Sequence, residues 1–221
     1  MMSALTSSDV DAFLKEIQSS PTGRGRLIFA VDATASREAT WDAACKLHVN
    51  MFRAAAAIGG LEIQLVYYRG ISECRASKWV GEPELLTRMM EKVMCRAGET
   101  QIRRVLEHAQ RESERGKVSA LVFVGDACEE GRDELAPAAA VLGRAGVPAF
   151  MFQEGDVASV KRVFCEIADL TRGAYGSFNA GAADQLRELL RAVAVFAAGG
   201  VEALEDSGAD RKIIAQLRRG S

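Results

Sequence analysis

The stretch Leu27-Ile28-Phe29-Ala30-Val31-Asp32-Ala33-Thr34-Ala35-Ser36 decides the fold of this chain. A run of apolar residues with β propensity ends in an acid, and hydroxyl residues follow at every second position. A continuous apolar run of this length predicts a strand buried on both faces, as in a parallel sheet. Asp32, Thr34 and Ser36 then fall at its carboxyl end, where open α/β sheets hold their ligands. Three hard oxygens on one short loop suit Mg²⁺ or Mn²⁺ far better than Zn²⁺.

On the amino side, Ser8 reads as a helix N-cap, and Val10, Phe13, Leu14 and Ile17 form one apolar stripe, predicting an amphipathic helix within 1–22. On the carboxyl side a helix is expected over 38–58, stopped by Gly59-Gly60. A strand over 61–69 turns at Gly70 into an antiparallel return over 71–80. Pro83 suits the first turn of a helix over 82–95, and a further helix is expected over 101–115. A second buried apolar strand, 119–125, also ends in an acid, Asp126. Helices over 134–145, 157–171 and 183–198 alternate with strands over 147–153 and 174–178.

Strands alternating with helices predict an α/β fold with a doubly wound, mostly parallel six-stranded sheet and one antiparallel edge strand. Right-handed crossovers prune the possible topologies; if the antiparallel strand pairs outside strand two, the natural order is 3-2-1-4-5-6. The switch point then lies between strands one and four, so topology alone brings Asp32 and Asp126 together. No repeat or long linker divides the chain, which reads as an N-terminal helix (1–22), one α/β domain (23–200) and a C-terminal helical tail (201–221).

Composition excludes several classes. The 221 residues carry a net charge of −2, so no global basic field invites nucleic acid. Basic residues cluster at Arg24/Arg26, Arg103/Arg104 and Arg218/Arg219, each read as a solvated face or helix end. The longest apolar stretch, 192–201, is too short to cross a bilayer, and no secretory leader is read at the start. Five cysteines without C-x-x-C spacing read as free thiols in a reducing compartment, so the expected location is cytoplasmic, with no membrane partner.

The D-x-T-x-S of Asp32, Thr34 and Ser36 resembles the D-x-S-x-S metal-ion-dependent adhesion site of von Willebrand factor A (vWA) domains. The family uses three loops. The second supplies a threonine before a helix, matched by Thr100, and the third an aspartate after the fourth strand, matched by Asp126. The resemblance implies that Asp32, Thr34, Ser36, Thr100 and Asp126 hold Mg²⁺ or Mn²⁺. It covers roughly residues 26–200. Two departures stand out: Thr34 replaces a serine while keeping its hydroxyl, and Gly125-Asp126-Ala127 stands where the family shows Thr-Asp-Gly.

What the resemblance implies is a cytoplasmic protein-binding module, not an enzyme, that docks an acidic residue of a partner onto the ion. Intracellular relatives serve as adaptors, so an AAA+ ATPase or its substrate is an expected partner; the oligomeric state stays open. A metal-free scaffold acting through its terminal helices is one alternative. A divalent-metal phosphoryl-transfer enzyme is another, opposed by Thr34 where haloacid dehalogenase-like phosphatases have a second acid. A dinucleotide site lacks its glycine-rich turn, and a serine hydrolase its G-x-S-x-G elbow.

Other residues receive plainer readings. Cys128 is taken as a small buried thiol. His48 and His108 are taken as surface or packing residues, and the acidic run Glu129, Glu130, Asp133 and Glu134 as a solvated helix start. Tyr67, Tyr68 and Arg69 are placed at the rim of the site, with at least one of the tyrosines expected to face the core, and Tyr68 and Arg69 would tune partner choice.

Overall fold

A computed structural model describes residues 25–39, 41, 45, 49, 61–178 and 192–197. The helix expected within 1–22, the tail 201–221 and most of the helices expected over 38–58 and 183–198 lie outside these described residues.

The order along the chain is β1 (Gly25–Asp32), a 3-10 turn (Ala35–Arg37), β2 (Leu61–Arg69), β3 (Glu73–Ala76), α1 (Pro83–Met90), α2 (Ile102–Arg115), β4 (Ala120–Gly125), α3 (Arg132–Arg144), β5 (Ala149–Glu154), α4 (Ala158–Thr171) and β6 (Ala174–Phe178). The six strands form one sheet in the order β3-β2-β1-β4-β5-β6, one of the orders that right-handed crossovers allow. Every pairing is parallel except β2 with β3.

β1 is central because its apolar run can be covered on both sides. Leu27, Phe29 and Val31 face one core with Val122 and Val124 of β4, and the helical residues Ala192, Val193 and Ala194 share it. Ile28 and Ala30 face the other, against Leu121 and Phe123 and the apolar stripe of α2, Ile102, Val105, Leu106 and Ala109. Residues 27–31 have no exposed surface, and each large apolar side chain among them contributes about 1.5–3 kcal/mol relative to exposure. The alternation of faces along β1 has the period of two that a strand imposes.

Two expectations need correction. The antiparallel return expected over 71–80 forms a ladder only over Glu73–Ala76. Beyond it the Ser77 hydroxyl accepts the Leu65 N–H at 3.0 Å, so a side chain replaces the next backbone group in the ladder. The edge closes again with a single bridge between Ile63 and Val80. The helix expected to reach Cys95 ends at Met90. The indole of Trp41 donates to the Val93 carbonyl at 3.0 Å, drawing the chain off the helical path.

Other boundaries shift by one or two residues, within the ordinary latitude of helix and strand ends.

Candidate functional site

The carboxyl ends of β1 and β4 carry the two acids that the strand order brings together. β1 and β4 run in register from Leu27↔Ala120 to Val31↔Val124, so Asp32 sits beside Gly125 at the end of the ladder. A Cβ on Gly125 would lie 3.5 Å from the Asp32 Cβ, and Asp126 is the next residue. Asp32 is fully buried. Its Oδ1 accepts the Thr34 N–H at 2.8 Å, which folds the loop back over the strand end. Oδ2 has no hydrogen-bond partner, and neither has Oδ1 of Asp126, although both atoms are buried. Burial pushes the Asp32 carboxyl above its ordinary pKa; hydrogen bonds from Thr34 oppose this and the charge of Asp126 adds to it.

The hydroxyls stand beside these acids. Thr34 Oγ1 and Ser36 Oγ lie 3.1 Å apart, Thr34 buried and Ser36 exposed. Their loop is held from several sides. The Ala33 N–H donates to the Tyr68 carbonyl and the Arg96 N–H to the Ala33 carbonyl, both at 3.0 Å. Arg37, buried at the end of the 3-10 turn, reaches across to Glu154 at the carboxyl end of β5, with Nη1–Oε2 at 2.6 Å. The ion pair spans two strands and pins the D-x-T-x-S loop over the end of β4.

Thr100 is buried on the loop that precedes α2. That loop lies against the hairpin turn: a Cβ on Gly98 would fall 2.1 Å from the Gly70 carbonyl oxygen, and Gly70 itself has a φ of +62°. Only glycine suits both positions. The Thr100 N–H donates to the Glu129 carboxylate at 2.9 Å, and the Glu129 N–H donates to the Thr100 hydroxyl at 3.1 Å. This reciprocal pair ties the second loop to the loop that carries Asp126. Glu130 accepts the N–H groups of Ile102 and Arg103, capping α2. The expectation of a purely solvated acidic run is therefore corrected: Glu130 satisfies orphan donors at the start of another helix, and Glu129 bonds the Thr100 N–H just ahead of it. Burial raises the Glu130 pKa even so, against the bonds from Arg103 and Ile102.

Tyr68 also departs from its expected place. It is fully buried, stacked on Phe123 at 6.1 Å, and so cannot meet a partner at the rim. Its hydroxyl has no hydrogen bond of ordinary geometry and lies in the field of Asp32, Glu130 and Asp126. Burial and that field hold its pKa well above the ordinary tyrosine value. Sequence parity could not show this. β2 is covered on both faces, so adjacent Tyr67 and Tyr68 look alike in the pattern. Arg69 is committed to Glu73, at 2.9 and 3.1 Å, and to the Met94 carbonyl. The half-buried Cys128 thiol is pushed up to about 11 by burial and by Glu130, which suits its reading as an inert thiol.

Among the described residues, no three His, Cys, Asp or Glu side chains gather into an ion-holding group. The donor set is two carboxylates with neighbouring hydroxyls. No described helix is long and apolar enough to cross a membrane.

At the level of sequence, no protein-family model and no curated protein matches the chain. Solved structures do resemble it. A von Willebrand factor type A protein from Catenulispora acidiphila aligns with a TM-score of 0.63 at 16% identity, over 80% of this chain and 43% of that one. The SpRpn10 VWA domain aligns with a TM-score of 0.61 at 12% identity, over 75% of this chain and 94% of that one. An aerotolerance-related membrane protein from Bacteroides fragilis aligns with a TM-score of 0.59 at 14% identity, over 75% and 98%. With its sheet order, its single antiparallel edge and these likenesses, the chain has the von Willebrand factor A fold.

Proposed function

We propose that the chain is a protein-binding module that holds Mg²⁺ or Mn²⁺ at Asp32, Thr34, Ser36, Thr100 and Asp126 and uses the ion to dock an acidic residue of a partner protein. The observation that carries this reading is the pair of buried carboxylate oxygens, Asp32 Oδ2 and Asp126 Oδ1, that lack a hydrogen bond of ordinary geometry, although the Tyr68 hydroxyl stands against the Asp32 carboxyl. Buried polar atoms are almost always bonded, and an orphaned pair beside two hydroxyls is accounted for by an ion or its waters. Two acids with neutral hydroxyls fit a hard cation that keeps some of its water. The ion would supply positive charge, which three neutral hydroxyls leave under-neutralised, so an outside carboxylate completes it. The solvent exposure of Ser36 gives that carboxylate a way in.

On this reading the partner is a protein with an exposed acid, an AAA+ ATPase or its substrate being the expected kind, and the chain works in the cytoplasm without catalysis of its own. Calorimetric titration with MgCl₂ and MnCl₂ tests the ion site. Micromolar-to-millimolar binding by the wild type and none by Asp126→Ala is the expected result, and equal heats from the two would refute it. Affinity purification with Mg²⁺ and with EDTA tests the docking. An unchanged set of bound proteins would favour a metal-free scaffold, and turnover of a phosphoester by the pure chain would favour an enzyme.

A further inference from the structure

The surface also folds inward between the edge strand β3 and helix α2. The cleft has a volume of about 280 Å³ and is lined by Val66, Cys74 and Ala76 on the sheet side and by Arg104, His108 and Arg111 on the helix side. Its charge is cationic. Arg104 donates to the Ser72 carbonyl at 2.7 Å and to Gln101 Oε1 at 3.1 Å, both neutral acceptors that leave its charge uncancelled. Neither Arg104 nor Arg111 is ion-paired with a carboxylate among the described residues. Arg75 and Glu107 stand at the cleft too. Glu107 is engaged by Arg103 at 2.8 Å, and the Glu73 that lies 3.5 Å from Arg75 is already held by Arg69.

His108 adds a fixed wall. Gln64 Nε2 donates to the Ser77 carbonyl at 3.0 Å, so Gln64 Oε1 accepts from His108 Nε2 at 2.7 Å. Burial, with Arg111 and Arg115 nearby, lowers the His108 pKa against the opposing pull of Glu112. Burial thus disfavours the charged ring, and the arginines of the lining supply the positive field.

The strand itself is the second observation. β3 is last in the sheet order, and among the described residues its only strand neighbour is β2. Its four residues span about 13 Å at the usual rise of a strand. A groove between an edge strand and a helix takes an extended peptide as an added strand, with backbone bonds for affinity and side-chain pockets for selection. The lining carries no Phe, Tyr or Trp ring on which a base could stack, which disfavours single-stranded nucleic acid.

We propose that this cleft docks an acidic extended segment of a partner protein, laid along the outer edge of β3, which no other described strand pairs, with a carboxylate side chain over Arg104 and Arg111. The surface is separate from the ion site at β1 and β4 and works without metal. It also gives Arg104 a role beyond the solvated face expected of the Arg103/Arg104 pair.

The test uses the full chain in EDTA and a fluorescein-labelled peptide of alternating glutamate and valine, with a lysine–valine peptide as control. The acidic peptide is expected to bind, to weaken with salt and to shift the backbone amide signals of residues 73–76. Binding should fall at least tenfold in Arg104→Ala/Arg111→Ala and stay unchanged in Asp126→Ala. Both arginines are exposed, so the variant should keep its circular dichroism spectrum, and single Arg111→Glu gives an independent second variant. Equal binding of the lysine peptide, no binding at all, or indifference to the arginine substitutions would overturn the proposal. Inorganic phosphate that displaces the peptide, in the absence of any shift at residues 73–76, would mark a simple anion site and overturn it as well.

Discussion

Two buried acids in this molecule sit in opposite circumstances. Glu112, on α2, has both oxygens bonded: Oε2 accepts from the Trp79 indole at 2.9 Å and Oε1 from Arg115 at 2.6 Å. Burial alone would raise its pKa, yet those bonds hold the carboxyl below its ordinary value. Asp32, at the carboxyl end of β1, has one oxygen bonded and the other without a hydrogen bond of ordinary geometry, and burial raises its pKa despite Thr34 and Tyr68. The difference separates two uses of a buried charge. A fully bonded acid contributes to stability, whereas a half-bonded one carries an uncompensated burial cost; on the proposed reading an ion offsets that cost.

The comparison breaks or sharpens in four places. The largest effect should come from the ion. At about a hundred times its dissociation constant, Mg²⁺ should add roughly 2.7 kcal/mol of stability, which for a chain of this size is about 5–10 °C in Tm. Calorimetry in Mg²⁺ and in EDTA reads this directly, and Asp126→Ala should lose the increment while still melting cooperatively.

Next in size is Glu112→Ala. It leaves the Trp79 indole without its acceptor and should cost about 2 kcal/mol in urea unfolding, with or without metal. A loss near zero would show that the well-bonded acid is not structural, and the contrast would fail.

Asp32→Asn should act in the opposite sense. Removing a half-bonded buried charge should stabilise the metal-free protein by about 1 kcal/mol while abolishing its response to Mg²⁺. Destabilisation in EDTA would mean that the bare oxygen is not a burden in the folded state.

The smallest effect concerns His108, whose pKa is lowered in the folded state. Between its ordinary value, about 6.5, and the lower folded value, the unfolded chain binds the extra proton and the folded chain does not. Stability is therefore fully present above that window and is lost as pH falls through it. His108→Gln should flatten this part of the pH–stability profile, and an unchanged slope would assign the titration elsewhere.

Much of the fold was legible before any coordinates. The apolar run ending in Asp32 and the matching run ending in Asp126 predict two buried parallel strands, and placing the antiparallel return outside strand two sets them side by side, as observed. These are local and chiral constraints, which a sequence carries openly. The loops were legible by residue type alone. Thr100 was read as an ion ligand, but its hydroxyl also accepts the Glu129 N–H. Glu129 and Glu130 looked like the start of their own helix and instead serve the start of α2. Nothing in the spacing of residues 100 and 129 announces that pairing.

By itself, then, the sequence determined the period of each element, the sheet order and the oxygen-rich character of the β1 loop, because these follow from side-chain pattern and backbone handedness. Only the tertiary structure decided which of two adjacent tyrosines faces Asp32, that Arg37 reaches Glu154 of β5 past the intervening β4, and that both Glu112 oxygens are hydrogen-bonded while Asp32 keeps Oδ2 without a bond of ordinary geometry. Those outcomes depend on which distant groups arrive within about 3 Å of a buried atom, and a hydrogen bond between residues far apart in the chain leaves no periodic trace along it.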